Sequence, residues 1–131
     1  MADSRLVKEW LAKANEDLNF AKINLKELSH PFFSQICFHL QQAAEKYFKA
    51  YIVSNGLEFK KIHDLTILLK ICSRQNIAFL GLEEEAGFLT DYYIDTRYPV
   101  HWPAEISKKE ANEALECAER IRDFIIEQLG L

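Results

Sequence analysis

The chain has 131 residues, of which 49% are hydrophobic and 27% charged, with a formal net charge of −4 and only 4 Gly and 3 Pro. That length suits one domain, 1–131, and that composition suits a compact helical domain, not a disordered chain. A mildly acidic balance gives no global attraction to nucleic acid, so any such contact must come from a local patch.

No apolar run approaches the roughly 18 residues of a membrane span. The N-terminal MADSRLVKEW lacks the apolar centre of a signal peptide. Cys37, Cys72 and Cys117 are odd in number, widely spaced, and each sits in an apolar helical pattern. Buried thiols of a cytoplasmic protein are the expectation.

Asp3 or Ser4 is a suitable cap for a first helix. Val7, Leu11, Ala14, Leu18, Ala21, Leu25 and Leu28 then alternate steps of four and three, a heptad seam that an antiparallel bundle explains as well as a coiled coil. Trp10 lies beside the seam and is expected to close one end of the core. Ser29-His30-Pro31 ends this helix, because the residue before proline avoids helical angles.

The second helix carries FHLQQAAEKYFKAYIV, residues 38–53, with no Gly or Pro to break it. Ile36, Leu40, Ala43, Tyr47 and Ala50 make one apolar stripe. Gln42, Glu45 and Lys49 run beside it, a polar line expected at the edge of the buried face. Asn55-Gly56 stops the helix. A loop with Lys60 and Lys61 leads to His63 and Asp64. The latter is a good N-cap for a third helix that turns Leu65, Leu68, Leu69 and Cys72 inward.

Ser73-Arg74-Gln75-Asn76 is expected to break that helix. A short helix should begin after Gly81, with Glu83, Glu84 and Glu85 opposing its dipole and Ala86, Leu89 and Tyr93 facing inward. Pro99 and Pro103 bound an irregular TRYPVHWP stretch. Ser107-Lys108-Lys109-Glu110 is a capping box opening the last helix, which Ala111, Ala114, Ala118, Ile121 and Ile125 carry to Gly130. There is no internal repeat.

Chemistry-bearing residues are densest from Tyr92 to Pro103. Arg97 and His101 on one loop can bind a phosphate and move a proton at neutral pH. RNA cleavage by internal 2′-hydroxyl attack needs such a pair, a His for acid–base work and a cation for the developing charge, without a metal. Tyr92, Tyr98 and Trp102 can stack bases. The same residues also fit a structural role, in which the aromatics cover the bundle end and Arg97 pairs with Asp95 or a helix C-terminus.

His63 can be oriented by the neighbouring Asp64 towards the loop that carries Arg97, or can simply close the turn before a helix. Gln42, Glu45 and Lys49 can line a pocket between helices, although Glu45 and Lys49 also have the spacing of an ordinary i,i+4 pair. His39 is expected at the surface or rim. The four His, at 30, 39, 63 and 101, show no short ligand spacing, so no metal site is expected. The absence of a Gly-rich phosphate loop excludes the common nucleotide folds.

QQAAEKYFKAYI, followed by His63-Asp64-Leu65 and by DTRYP at 95–99, resembles the HEPN family. These are small all-helical domains of prokaryotes, also fused into some large eukaryotic proteins, and the likeness spans nearly the whole chain. It implies a four-helix up-and-down bundle, often dimeric and frequently encoded beside a minimal nucleotidyltransferase. Many members are toxins or RNA-cutting enzymes.

In the family's ribonucleases an Arg precedes a His. On that pattern Arg97 and His101 are the catalytic pair, with three residues between them, one short of the family spacing. Members modified by their nucleotidyltransferase carry a Tyr two residues after that His, where this chain has Pro103. Arg97 therefore carries over better than His101.

The expected fold is an all-α, up-and-down four-helix bundle with an interrupted third element. The expected assembly is a homodimer, with Trp10, Phe32, Phe33, Phe38 and Phe48 as sources of interface. Such a protein would act with a minimal nucleotidyltransferase in a toxin–antitoxin-like pair. It would engage RNA or nucleotide through Arg97, Tyr98, His63, Lys49, Gln42 and Glu45, with no cofactor. The alternatives are a metal-independent ribonuclease using Arg97 and His101, and a non-catalytic nucleotide-binding or dimerisation module.

Overall fold

The computed structural model describes residues 4–27, 32–95 and 105–131. The Asp3 cap, Leu28 of the seam and the Ser29-His30-Pro31 stop lie outside these residues. Helix α1 (Ser4–Glu27) pairs antiparallel with α2 (Phe33–Ser54). The seam holds: Val7, Leu11, Ala14, Leu18, Ala21 and Leu25 are all buried. Its alanines let the two backbones approach closely while the larger residues fill the space between.

Helix α2 is the centre of the molecule. Beyond the stripe of Ile36, Leu40, Ala43, Tyr47 and Ala50, it also buries Ala44, Phe48 and Ile52 completely. A helix apolar nearly all round needs neighbours on every side, and α2 packs against α1 and all the helices that follow. It ends in a Schellman motif. Gly56 adopts φ 61°, its N–H donates to Val53 O at 3.2 Å, and Leu57 N–H donates to Ile52 O at 3.0 Å.

Residues 57–64 then run back along α2 without helical structure. Helix α3 (Leu65–Gln75) starts under an Asp64 cap that accepts from Thr66 N–H at 2.9 Å. It runs in the same general sense as α2: the loop just before it meets Gln41, and Cys72 Sγ donates to Phe48 O at 3.9 Å. A 3-10 segment (Ile77–Leu82) turns the chain into α4 (Glu83–Thr90), with α5 (Tyr92–Asp95) as a final turn. The interruption of the third element is thus a helical hairpin. Thr90 Oγ1 closes it by accepting Leu65 N–H at 2.9 Å and donating to Asp64 Oδ1 at 3.3 Å.

Helix α6 (Lys108–Gln128) begins at Ser107, whose Oγ accepts Glu110 N–H at 3.1 Å, and lays Ala111, Ala114, Ala118, Ile121 and Ile125 on α2 and α4. The result is the all-α bundle the sequence predicts. Some details differ. Ser73 and Arg74 remain helical because α3 stops only at Asn76, whose side chain caps the 3-10 segment through Ala78 N–H. Tyr92, not Tyr93, is the buried tyrosine of α5, since its hydroxyl reaches the Glu110 carboxylate. Phe48 is wholly in the monomer core, so it supplies nothing to an interface.

Cys37, Cys72 and Cys117 are buried as expected. Burial pushes the Cys37 and Cys72 thiols up to about 12 and the Cys117 thiol up to about 11. Among the described residues no helix is long and apolar enough to cross a membrane, and no group of His, Cys, Asp and Glu is arranged to hold a metal ion.

Candidate functional site: a histidine set against a buried ion pair

The stretch QQAAEK places Gln41 and Glu45 one turn apart on α2, with Lys49 one turn further. The expectation put Gln42, Glu45 and Lys49 at the edge of the buried face. The structure moves two of them inside: Glu45 is 4% exposed and Lys49 is 5% exposed. Gln42 does stay at the rim, and Gln41, which the pattern of alternating steps passes over, is fully buried. The cause is the return of residues 57–64 over α2, which covers a face that helix periodicity alone leaves half-wet.

Each polar group in this interior is satisfied. Lys49 Nζ donates to Glu45 Oε2 at 2.8 Å, and His63 Nδ1 meets Glu45 Oε1 at 2.9 Å and Oε2 at 3.1 Å. Gln41 Nε2 donates both to Glu45 Oε1 at 3.3 Å and to His63 O at 3.0 Å, and its own Oε1 accepts from Gln42 at 2.8 Å. The Lys49 ammonium also lies 5.8 Å from the Trp10 ring centre and 5.7 Å from that of Phe59. Two aromatic faces thereby replace part of its lost hydration. Lys49 is consumed in this way and presents no charge to a phosphate.

His63 is the most exposed member of the network among the described residues, with its side chain 43% exposed. Its ring stacks on Tyr93 at 3.9 Å between centres and 13° between planes. The two rings form one wall of a cleft of about 500 Å³, which Lys61, Ile62, Asp64, Ile67, Thr90 and Asp91 complete. Lys61 has no acidic partner among the described residues.

Asp64 does not orient His63, as the sequence suggested it could. Its carboxylate is occupied by Thr66 N–H at 2.9 Å, Thr66 Oγ1 at 2.6 Å and Thr90, and those hydrogen bonds hold its carboxyl below the usual range. Glu45 does the orienting instead. His39, expected at the rim, is there: its Nδ1 meets Asp17 Oδ1 at 2.9 Å and its ring packs on Phe20 at 4.3 Å. Arg97, Tyr98, His101 and Trp102 lie outside the described residues, as do Pro99 and Pro103.

Helices packed around a central α2, with no strand among the described residues, place the chain among the small all-α bundle domains. The chain belongs to the HEPN domain family, whose model matches residues 7–129. It is similar in structure to the protein TT1696 of Thermus thermophilus, with a TM-score of 0.82 and 32% identity over 92% of this chain and 96% of that one. ST0689, an archaeal HEPN homologue, gives a TM-score of 0.73 and 27% identity over 93% of this chain and 96% of that one. In sequence the chain is 28% identical, over 144 residues, to the candidate toxin MJ1304 of Methanocaldococcus jannaschii, spanning 97% of this chain and 93% of that protein.

Proposed function

We propose that this HEPN domain is the toxin-like member of a two-protein pair, that its partner is a minimal nucleotidyltransferase, and that it engages RNA or a nucleotide at the cleft beside His63. The observation that carries this reading is the cleft itself. Lys61 offers a cation with no acidic partner among the described residues, and the stacked His63 and Tyr93 rings offer a face for a base. The similarity to a candidate toxin supports the pairing.

RNA is favoured over a mononucleotide by what continues beyond the cleft. Tyr93 meets Phe38 at 6.3 Å, Phe38 meets His39 at 5.6 Å, and His39 meets Phe20, a row of rings leading away from His63. A single base needs one such platform. A strand can use several.

Arg97 follows α5 by two residues of sequence and is proposed as a phosphate ligand together with Lys61, with Tyr98 and Gln42 as neighbours of the bound strand. Fluorescence anisotropy with a labelled oligoribonucleotide tests this. Arg97→Ala and Lys61→Ala should each weaken binding about ten- to a hundredfold, the worth of a charge-assisted contact. Melting temperature should hardly change. Wild-type affinity in both folded variants would sink the cleft as the RNA site. The pairing is tested in cells: induction of this chain should arrest growth, and co-expression of the nucleotidyltransferase should relieve it.

A further inference from the structure

We infer that the base taken into the cleft beside His63 is guanine, selected by the Asp91 carboxylate, which accepts from the N1–H and the N2 amino group of that base. This rests on the RNA reading above and adds which base the strand must present.

Stacking cannot choose a base, because every base has a π-face. The His63 and Tyr93 rings, 3.9 Å between centres and nearly parallel, therefore supply affinity and leave the choice to whatever meets the base edge. The lining of the cleft has few groups left for that task. Thr90 Oγ1 is spent on Leu65 N–H and Asp64, and Asp64 is spent on Thr66 and Thr90. His63 turns Nδ1 to Glu45. Ile62 and Ile67 are apolar, so Lys61 and Asp91 remain. The Asp91 side chain has no hydrogen-bonding or ion-pair partner among the described residues and makes no capping bond to α5. Its backbone is nevertheless held on both sides, by the Thr90 hydroxyl on Leu65 N–H and by the Tyr92 hydroxyl on the Glu110 carboxylate. A carboxylate that is fixed in place and uncommitted is available to a ligand.

Charge decides which part of a nucleotide enters. One lysine stands against two aspartates, so the lining is net negative while His63 is neutral. Such a wall disfavours a phosphate inside and favours a neutral base that donates hydrogen bonds. Lys61, exposed, is left for the phosphate outside the cleft. The volume of about 500 Å³ lies in the range of clefts that hold a small molecule. A carboxylate only accepts. Adenine and cytosine set a ring-nitrogen acceptor beside their amino group, and uracil flanks its N–H with two carbonyls, so one Asp91 oxygen would face a lone pair. Guanine presents two adjacent donors, which match the two carboxylate oxygens.

The test is fluorescence anisotropy with short labelled 2′-O-methyl oligouridylates, each carrying one central guanosine, inosine, adenosine or cytidine, or uridine throughout. Wild-type protein should bind the guanosine strand about tenfold or more tighter than the adenosine, cytidine and uridine strands. Inosine, which keeps N1–H and lacks the amino group, should fall between. Asp91→Ala should bring all strands within a few fold of one another at an unchanged melting temperature. His63→Ala, which removes the stacking face, should instead weaken every strand by a similar factor. Should Asp91→Ala fail to fold, Asp91→Asn keeps the shape but puts a donor in place of one oxygen, and it should also abolish the preference. Equal wild-type affinity for all strands would overturn the inference and leave RNA engagement standing. An unchanged guanosine preference in the folded Asp91 variants would overturn it too. Guanosine monophosphate bound as tightly as the guanosine strand would keep the guanine site and overturn the strand reading. Binding of neither strand nor mononucleotide by wild type would overturn both.

Discussion

At the scale of single residues, the difference between seam and rim is a difference in free energy. Leu40 is fully buried mid-stripe on α2, so Leu40→Ala should cost about 2–5 kcal/mol through lost transfer energy and a residual cavity. Gln42→Ala removes only a rim amide that donates to Gln41 and should cost about 1 kcal/mol. Chemical denaturation distinguishes them, and equal losses would mean that the stripe is misplaced. The cysteines make a second residue-scale expectation. With thiols buried and pushed well above the ordinary range, almost no thiolate exists at pH 8 in the folded state. All three should resist iodoacetamide in native protein and react together once it is unfolded. Fast labelling of any one without denaturant would contradict the burial.

At the scale of elements, the hairpin of α3 and α4 depends on one short cap. Asp64 satisfies Thr66 and links to Thr90, so Asp64→Ala should cost about 0.5–2 kcal/mol, the usual worth of an N-cap. The pH dependence has a defined sign. The folded-state pKa of Asp64 is lowered, so its contribution is present above the unfolded carboxyl value. It fades as pH falls from there through the folded value. The stability gap between wild type and Asp64→Ala should therefore narrow between pH 7 and pH 3. A constant gap would remove Asp64 from the account.

The same elements show what a sequence can and cannot disclose. The Asp64 and Ser107 caps, the Gly56 stop and the α1 seam were legible because each depends on neighbours within a turn or two. The interior position of Glu45 and Lys49 was not. A solvated i,i+4 pair and a buried one have identical spacing, and only the return loop, with Phe59 and His63, separates them. Tyr92 and Tyr93 were exchanged for a related reason. In a four-residue helix the inward side is set by the tertiary partner, Glu110, and not by periodicity. His63 was legible as a candidate and Gln41 was not, since nothing local marks a glutamine that bonds a backbone carbonyl 22 residues on.

For the whole molecule, the apolar surface that remains uncovered argues for a second copy. Phe48 is consumed by the core and Trp10 by Lys49 and Phe59, leaving Phe20 at 45%, Ile23 at 59% and Phe32 at 70% exposed near the α1–α2 connection. Phe20, Ile23 and Phe32, close in sequence to the α1–α2 connection, are the apolar side chains that such a contact would cover. A two-fold contact buries the same patch twice, so a modest area per subunit can reach the roughly 1,200–2,000 Å² of a specific interface. Light scattering should accordingly report twice the chain mass of 15.3 kDa at tens of micromolar. Ile23→Glu/Phe32→Glu, placing like charges across the two-fold axis, should give a folded monomer with an unchanged helical spectrum. Wild-type melting temperature should rise with protein concentration, because the dimer binds only folded chains, and the double variant should lose that dependence. A concentration-independent melt in the wild type, with monomer mass, would show that this end of the bundle faces water alone.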